Sequence, residues 1–179
     1  MVKLSQIVHV GGVKGVGKSA VLNQVLRDSS GYHTLNIGEL LTRYSIEKYN
    51  SGFERLGQTE KSQLRLYLRS LISANENTIL DSHYTIQENG RIVRVFPQYA
   101  EELVDRHVVV VATAEQILER RQKDYGKIRD IDMDAIKHEA EVELRTARKI
   151  AETTKKPIYI IQNLTIETAA SSLIRLLCG

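Results

Sequence analysis

The sequence contains a single cysteine and no hydrophobic run long enough to cross a membrane. Cys178 lies next to the C-terminus of the 179 residues, so that no internal disulfide can form. A reducing cytoplasm suits such a chain. A membrane-spanning helix needs about 18 or more consecutive apolar residues, and no run in this sequence approaches that length. The first residues lead directly into the first predicted strand, and we therefore expect a cytoplasmic protein without a secretory leader.

Basic blocks and spacings typical of metal ligands are also absent. The net charge is +3, and without a long Lys/Arg run it indicates basic groups around an anionic ligand rather than a nucleic-acid-binding face. No spacing of Cys and His is typical of a metal site, and no Ser/His/Asp or Cys/His set has supporting context. We therefore expect no nucleophilic catalysis of those kinds, and nucleic acid is not an expected partner.

What the sequence does contain is a complete G-x-x-x-x-G-K-[ST] signature at residues 12–19. An apolar, β-branched run at 6–10 precedes it and apolar residues at helical spacing follow it over 18–27, so that the motif lies between a predicted strand and a predicted helix. In that context successive backbone N–H groups and the helix N-terminus bind the phosphates of a triphosphate. We expect Lys18 to reach the β- and γ-phosphates and the Ser19 hydroxyl to bind Mg²⁺. The alternative, a chance glycine-rich turn, matches this pattern in roughly one such chain in a hundred.

Beyond the signature, predicted strands and helices alternate along the chain, which is typical of an α/β fold with a parallel sheet and right-handed crossovers. The predicted strands are 6–10, 32–36, 78–80, 107–112 and 157–162. The predicted helices after the first are 38–49, 60–74, 97–104, 114–123, 133–153 and 166–177. No linker or internal repeat divides the chain, and we predict one domain over 1–179.

Two details of this pattern predict burial and helix starts. The continuous apolar runs at 108–111 and 158–161 are typical of strands buried on both faces of a parallel sheet. Thr59, Thr113 and Asp132 are predicted N-cap residues, because each precedes a helical segment and carries an oxygen that can accept a backbone N–H. Both details agree with the alternation of strands and helices.

Two segments interrupt the alternation. An Asn-Gly pair at 89–90 lies between two short alternating runs, 84–87 and 91–95, which predicts a β-hairpin. Residues 125–130 join two helices through a short, charged connection that contains glycine. Both segments are candidates for mobile loops over a ligand, and we predict a short lid at about 121–132 around the second.

Asp81 is predicted at the carboxyl end of a buried strand, where ligands bind in open α/β sheets. In folds with this phosphate loop, a carboxylate at that position holds Mg²⁺ or its water shell. The alternative is an Asp that only caps or turns the chain. His83 follows two residues later, and it serves either as a hydrogen-bond partner of an acceptor substrate or as a structural histidine. His9, inside the first strand, is predicted to lie in the core.

Arginines surround the connection at 125–130, and they are Arg120, Arg121, Arg129, Arg145 and Arg148. Phosphoryl transfer needs fixed positive donors around the transferred group more than covalent help from the protein. Arg120 and Arg129 flank the loop, so that loop closure brings both onto the phosphates and expels water. Arg145 lies one helical turn beyond Glu141, and it either faces the site or pairs with that carboxylate. For any one of these arginines the alternative is a solvated helix face.

The acceptor side is predicted near the end of the second strand. Gly38 opens a helix there, and a glycine lets a ligand approach the backbone closely. Arg43 lies on the same helix, and Arg55 follows it along the chain. We therefore predict that the acceptor lies beside Gly38 and that its phosphate contacts Arg43 or Arg55.

With these residues in place, the chain resembles the archaeal type of adenylate kinase over nearly its whole length. The resemblance rests on Arg145 and on five segments, which are 12–20, 36–39, 79–83, 117–120 and 128–130. It implies a three-layer P-loop NTPase fold with a central five-stranded parallel sheet. It also implies a small cytoplasmic kinase, often trimeric, that transfers a phosphoryl group from Mg·ATP to AMP.

The resemblance also implies roles for individual residues. Arg120, Arg129 and Arg145 would clamp the phosphates, and with Lys18 they are the predicted catalytic residues. ATP would be bound by Gly12, Val13, Lys14, Gly15, Val16, Gly17, Lys18, Ser19 and Ala20. The predicted metal ligands are Ser19 and Asp81, and the predicted acceptor contacts are Gly38, Arg43, Arg55 and His83.

The chain departs from the family pattern mainly on the acceptor side. Ala20 stands where the family has Thr or Ser, which is tolerable because the preceding serine supplies the hydroxyl. Gln87 stands where the family often carries an arginine, and 94–97 replaces a Pro-Gly-Leu-Pro turn. The family's acceptor-side arginine maps to Glu54 rather than Arg55. Three functions therefore stay open: an AMP kinase, an ATP-binding switch or weak ATPase that acts through a partner, and a kinase of another small molecule such as a nucleoside or sugar.

Overall fold

The computed structural model describes residues 6–29, 31–88, 90–96, 98–124 and 131–179. Its strands are β1 Ile7–Gly11, β2 His33–Asn36, β3 Thr78–Asp81, β4 Thr85–Glu88, β5 Arg91–Arg94, β6 Arg106–Val111 and β7 Ile158–Gln162. Five of them form one parallel sheet in the spatial order β2-β3-β1-β6-β7. Strands β4 and β5 pair separately as an antiparallel hairpin, which confirms the hairpin predicted around the Asn-Gly pair.

Helices connect the parallel strands. They are α1 Lys18–Asp28, α2 Ile37–Tyr49, α3 Gln58–Ser73, α4 Gln98–Glu101, α5 Ala114–Lys123, α6 Met133–Thr154 and α7 Ile166–Cys178, with a 3₁₀ turn at Phe53–Arg55. The predicted three-layer α/β fold, a central five-stranded parallel sheet flanked by helices, is confirmed. Within the described residues, no helix combines the length and the apolar character that crossing a membrane requires.

The core has two parts, because alternate residues of a strand point to opposite faces of the sheet. Val8 and Val10 of β1 pack in one layer with buried residues of α1 and α7. On the other face, His9 is fully buried, and its ring centroid lies 4.4 Å from that of Tyr84 and 4.3 Å from that of Phe96. The predicted core position of His9 is confirmed.

Parallel pairing brings the carboxyl ends of three adjacent strands together. Asp81 at the end of β3 pairs in register with Val10 in β1 and with Asn36 in β2. The phosphate loop follows β1 directly. The loop, Asn36 and Asp81 therefore meet at one edge of the sheet, where ligands bind in open α/β folds.

The burial predicted for the two apolar runs is confirmed for one and wrong for the other. Residues 108–110 of β6 are fully buried. In β7, by contrast, Tyr159 is 39% exposed and Ile160 is 44% exposed. The reason is that, among the described residues, β7 is the last strand of the sheet and pairs only with β6. An apolar run does not reveal whether a strand lies at the centre or at an edge.

Helix starts were predicted with partial success. The side chains of Thr113 and Asp132 accept the backbone N–H groups of Gln116 and Ala135, which confirms both N-caps. Thr59 is not a cap, because α3 begins one residue earlier and Gly57 precedes it. The first turn is instead held by Glu60, whose carboxylate accepts the Gly57 N–H at 2.7 Å.

One predicted helix is longer than the helix in the structure, and the predicted lid is only partly described. The helix predicted at 97–104 is shorter in the structure, where α4 covers Gln98–Glu101. Residues 125–130, the centre of the predicted lid at 121–132, lie outside the described residues.

Candidate active site

The backbone between β1 and α1 takes conformations that require glycine. The φ angles of Gly12 and Gly17 are 143° and 89°, in the region that L-residues rarely adopt. A Cβ at Gly12 would lie 2.5 Å from the Val110 carbonyl oxygen, and one at Gly17 would lie 2.4 Å from Nδ2 of Asn163. Glycine is therefore needed at both positions for backbone shape and for space.

Side chains behind the loop bind its carbonyl oxygens. The Val16 oxygen accepts hydrogen bonds from Nη1 of Arg120 and from Nδ2 of Asn163, each at 2.7 Å. The Lys14 oxygen accepts one from Nε of Arg121 at 3.0 Å. A trans peptide directs its C=O and the following N–H in opposite directions. These contacts therefore turn the N–H groups after Lys14 and Val16 away from the arginines, as an anion site requires.

A buried carboxylate on α6 holds the start of the loop. Glu143 accepts the N–H groups of Gly12 at 3.0 Å, Tyr84 at 3.0 Å and Thr85 at 2.6 Å, and the Thr85 hydroxyl at 2.6 Å. The Gly12 carbonyl in turn accepts a hydrogen bond from Nδ1 of His83 at 2.7 Å. Glu143 thus joins the phosphate loop to the chain segment that enters the β4–β5 hairpin.

Lys18 is the first residue of α1 and is 8% exposed. Its ammonium forms an ion pair with the carboxylate of Asp81, which also accepts a hydrogen bond from the Asn36 amide at 3.3 Å. Burial lowers the pKa of Lys18 to about 8, and the carboxylate of Glu143 opposes that shift. Since this pKa stays above 7, Lys18 carries its positive charge at neutral pH.

The oxygen atoms at this edge of the sheet fit a magnesium ion. Ser19 and Asp81 both line the cleft in front of the loop. A hydroxyl and a carboxylate are hard oxygen ligands, and Mg²⁺ keeps several water molecules besides one or two protein ligands. No cluster of three or more His, Cys, Asp or Glu side chains suited to a metal occurs in the described part of the chain. The donor set therefore suits an ion that is shared with bound phosphates.

The cleft in front of the loop has a volume of about 1830 Å³. We divide it into a loop half, lined by 13–15 and 17–20 with Asp81 and Arg120, and a distal half, lined by α2, the 3₁₀ turn, α3 and the β4–β5 hairpin. Pockets for a single small ligand usually measure about 300–1,000 Å³. The cleft therefore has room for two ligands.

The predicted acceptor contacts differ in their positions. Gly38 and His83 line the cleft, whereas Arg43 and Arg55 are exposed and are not among its lining residues. Nε of Arg43 instead lies 3.8 Å from the carboxylate of Glu47 on the same helix. The structure thus brings only two of the four predicted residues to the cleft.

The arginine set is also divided. Arg120 lines the cleft beside the loop, while Arg121 is buried and pairs with Glu139 at 2.6 Å. Arg145 is exposed and lies 3.5 Å from Glu141. A step of two residues from Glu143 rotates by about 200° around a helix, so that Arg145 lies on the face of α6 opposite the loop. Arg129 lies outside the described residues.

Sequence reasoning missed four side chains of the site. Glu143 and Asn163 hold the loop from distances of 131 and 147 residues along the chain, which no local pattern indicates. Arg65 lines the distal half together with Lys61. Their spacing of four residues on one helix was a usable signal, because such residues share a helix face.

Known proteins provide an independent comparison. A family model described as AAA domain matches residues 11–138, more than half of the chain. The chain belongs to this family. An adenylate kinase of Methanoculleus marisnigri is 30% identical over 142 residues, which cover 72% of this chain and 74% of that protein. An adenylate kinase of Thermococcus kodakarensis is 24% identical over 185 residues, which cover 96% of this chain and 94% of that protein.

These matches confirm the resemblance to archaeal adenylate kinases. The crystal structure of shikimate kinase from Bacteroides thetaiotaomicron matches with a TM-score of 0.58 at 16% identity and covers 97% of this chain and 99% of that one. At such identity the match shows the fold alone. The family relationship assigns the chain to the P-loop phosphotransferases, whose members use ATP and Mg²⁺ in general.

Proposed function

We propose that the protein is a nucleoside monophosphate kinase that transfers the γ-phosphoryl group of Mg·ATP to AMP. The observation that carries the proposal is the phosphate loop, which opens into a cleft with room for a second ligand. The names of the related adenylate kinases support AMP as the acceptor. In the same proposal we include the cytoplasmic location and the trimer that the resemblance implies.

In this mechanism the loop binds the donor. The N–H groups of 13–20 and the α1 N-terminus hold the phosphates, and Lys18 exchanges its contact with Asp81 for the β- and γ-phosphates. Ser19 and Asp81 would hold Mg²⁺, which supplies positive charge next to the transferred group. Because Lys18 is charged at neutral pH and already fixed at the loop, it stabilises the charge that develops during transfer.

Arginines complete the predicted catalytic set. Arg120 is beside the loop, where its guanidinium donates to the Val16 carbonyl, so that a contact with the phosphates requires it to leave that carbonyl. The clamping roles of Arg129 and Arg145 stay predictions, and the role of Arg145 requires a rearrangement because it faces away from the loop. No strong general base is needed, since positioning and charge provide most of the catalysis.

The test is ADP production from Mg·ATP with AMP, CMP, UMP and GMP in turn. A strong response to AMP that Lys18→Ala abolishes supports the proposal. A response to another nucleoside monophosphate reassigns the acceptor. No response to any of the four, together with tight binding of ATP, contradicts a nucleoside monophosphate kinase.

A second candidate is an ATP-binding switch or weak ATPase that acts through a partner. It is favoured by one observation, the position of Arg43 and Arg55 outside the cleft, which leaves the predicted acceptor phosphate without its arginines. This function predicts slow ATP hydrolysis at a rate that AMP does not change. A sharp increase of ADP production on addition of AMP excludes it.

A further inference from the structure

Two cations on α3 project into the distal half of the cleft. Lys61 and Arg65 are one helical turn apart, and both line the cleft. Nζ of Lys61 donates a hydrogen bond to the Glu54 carbonyl oxygen at 3.2 Å and lies 5.5 Å from the centre of the Phe53 ring. Since Phe53 and Glu54 also line the cleft, the 3₁₀ turn holds the Lys61 ammonium at the cleft wall.

Ion pairing distinguishes these two cations from three neighbouring arginines. On the surrounding elements, the guanidinium of Arg43 pairs with Glu47, that of Arg69 with Glu102 and that of Arg94 with Glu101. Counting only carboxylates within the described residues, neither Lys61 nor Arg65 forms an ion pair. Two positive charges without a carboxylate partner in a cleft attract an anionic ligand.

Apolar and acidic side chains both lie around the pair in the distal half. The distal half includes the apolar side chains Leu41, Leu66, Ile86, Val93, Val95 and Phe96. Apolar side chains beside a cation strengthen its attraction for a bound anion where they exclude water, but Leu66 is 66% exposed and Arg65 is also exposed. Glu54 and Glu88 also line this half, and their carboxylates repel an anion bound beside them.

We propose that Lys61 and Arg65 form the anion subsite of the acceptor and bind the phosphate that the acceptor brings with it. The inference rests on the proposed function and gives it a binding group on α3 instead of Arg43 and Arg55. The guanidinium of Arg65 offers paired N–H donors that match two phosphate oxygens, and the Lys61 ammonium adds a point charge. Residues four apart on a helix have Cβ atoms about 5–6 Å apart, so that both side chains reach one phosphate.

The experiment compares Lys61→Ala and Arg65→Ala with the wild type in steady-state assays with AMP and ATP. Each variant is expected to raise the KM for AMP about tenfold, because a charge-assisted hydrogen bond is lost. The KM for ATP should change less than about twofold, since the phosphate loop is untouched. The matched control is Arg69→Ala, which removes a cation from the next turn of α3 that pairs with Glu102 and does not line the cleft.

Failure of the subsite differs from failure of the proposed function. If the wild type uses AMP but both variants keep its KM, the subsite is wrong and the proposed function stands. If the wild type transfers phosphate to no nucleoside monophosphate, the proposed function is wrong. Titration calorimetry with AMP and adenosine then tests the subsite alone. Tighter binding of AMP than of adenosine that disappears in Arg65→Ala supports it, and equal binding of the two by the wild type overturns it.

Discussion

The two halves of the cleft are held in place in different ways. In the loop half, Arg120, Glu143 and Asn163 bind loop backbone that is 104, 131 and 147 residues away in sequence. In the distal half, contacts such as that of Thr42 with Gly38 or of Lys61 with Glu54 span only four and seven residues. The loop is therefore fixed before a ligand binds, and such a preorganised loop suits the binding of a triphosphate. These hydrogen bonds of α2 and the 3₁₀ turn are local, whereas the β4–β5 hairpin of the same half is tied to α6 through Glu143.

The largest expected effect lies in the loop half. Lys18→Ala should lower phosphoryl transfer roughly a hundredfold or more, because it removes a preorganised cation from the developing charge. The fold should persist, which circular dichroism can check. The matched control is Lys48→Ala, which removes an exposed lysine at the end of α2. Near-wild-type turnover in Lys18→Ala would contradict the role of the loop half in catalysis.

Substitution of Glu143 tests whether hydrogen bonds from side chains behind the phosphate loop fix its position. In Glu143→Gln, one carboxylate oxygen becomes an NH₂ group that faces N–H and O–H donors. An unfavourable contact of this kind at a buried site should reduce the free energy of unfolding by about 3 kcal/mol. Denaturant titration measures this change, and ATP affinity should decrease with it.

The control for Glu143 is two residues away on the same helix. Glu141→Gln changes an exposed carboxylate that only pairs with Arg145 at 3.5 Å, and it should alter stability by less than about 0.5 kcal/mol. Equal effects of the two substitutions would mean that the hydrogen bonds of Glu143 contribute no more to the free energy of unfolding than a surface charge does.

Acid should weaken the core beneath the loop half. Burial lowers the pKa of His9 well below its ordinary value and that of His107 to about 4. The unfolded chain binds these protons near pH 6.5, so that the contribution of the two histidines to stability is constant above that pH and decreases as the pH falls toward 4. For His107 alone the loss at pH 5 is about 2 kcal/mol.

Thermal unfolding measured from pH 8 to pH 5 checks this dependence. His107→Gln should reduce the loss of stability between pH 6.5 and pH 5. His138→Gln, at an exposed position on α6, should leave that loss unchanged. If His107→Gln loses as much stability at acid pH as the wild type, other groups cause the loss.

The contrast between local and long-range contacts also explains which features of the structure the sequence predicts. The Gly-Lys-Ser spacing is local, and the structure agrees with it in detail at Gly12, Gly17 and Lys18. The hydrogen bond between Glu143 and the loop depends on the packing of α6 against the loop, and the edge position of β7 depends on the order of strands in the sheet. Both are long-range properties that neither periodicity nor spacing contains.

The smallest expected effect concerns the arginines that sequence reasoning placed on the acceptor. Arg43→Ala and Arg55→Ala should change the KM for AMP less than about twofold, because exposed cations outside the cleft contribute little to binding. Steady-state assays should compare the KM for AMP of these two variants with that of Arg65→Ala. Each of the three substitutions removes one guanidinium from the distal side. A tenfold rise with Arg43→Ala would mean that α2 moves onto the acceptor during binding. The local contacts of the distal half would then describe only the ligand-free arrangement.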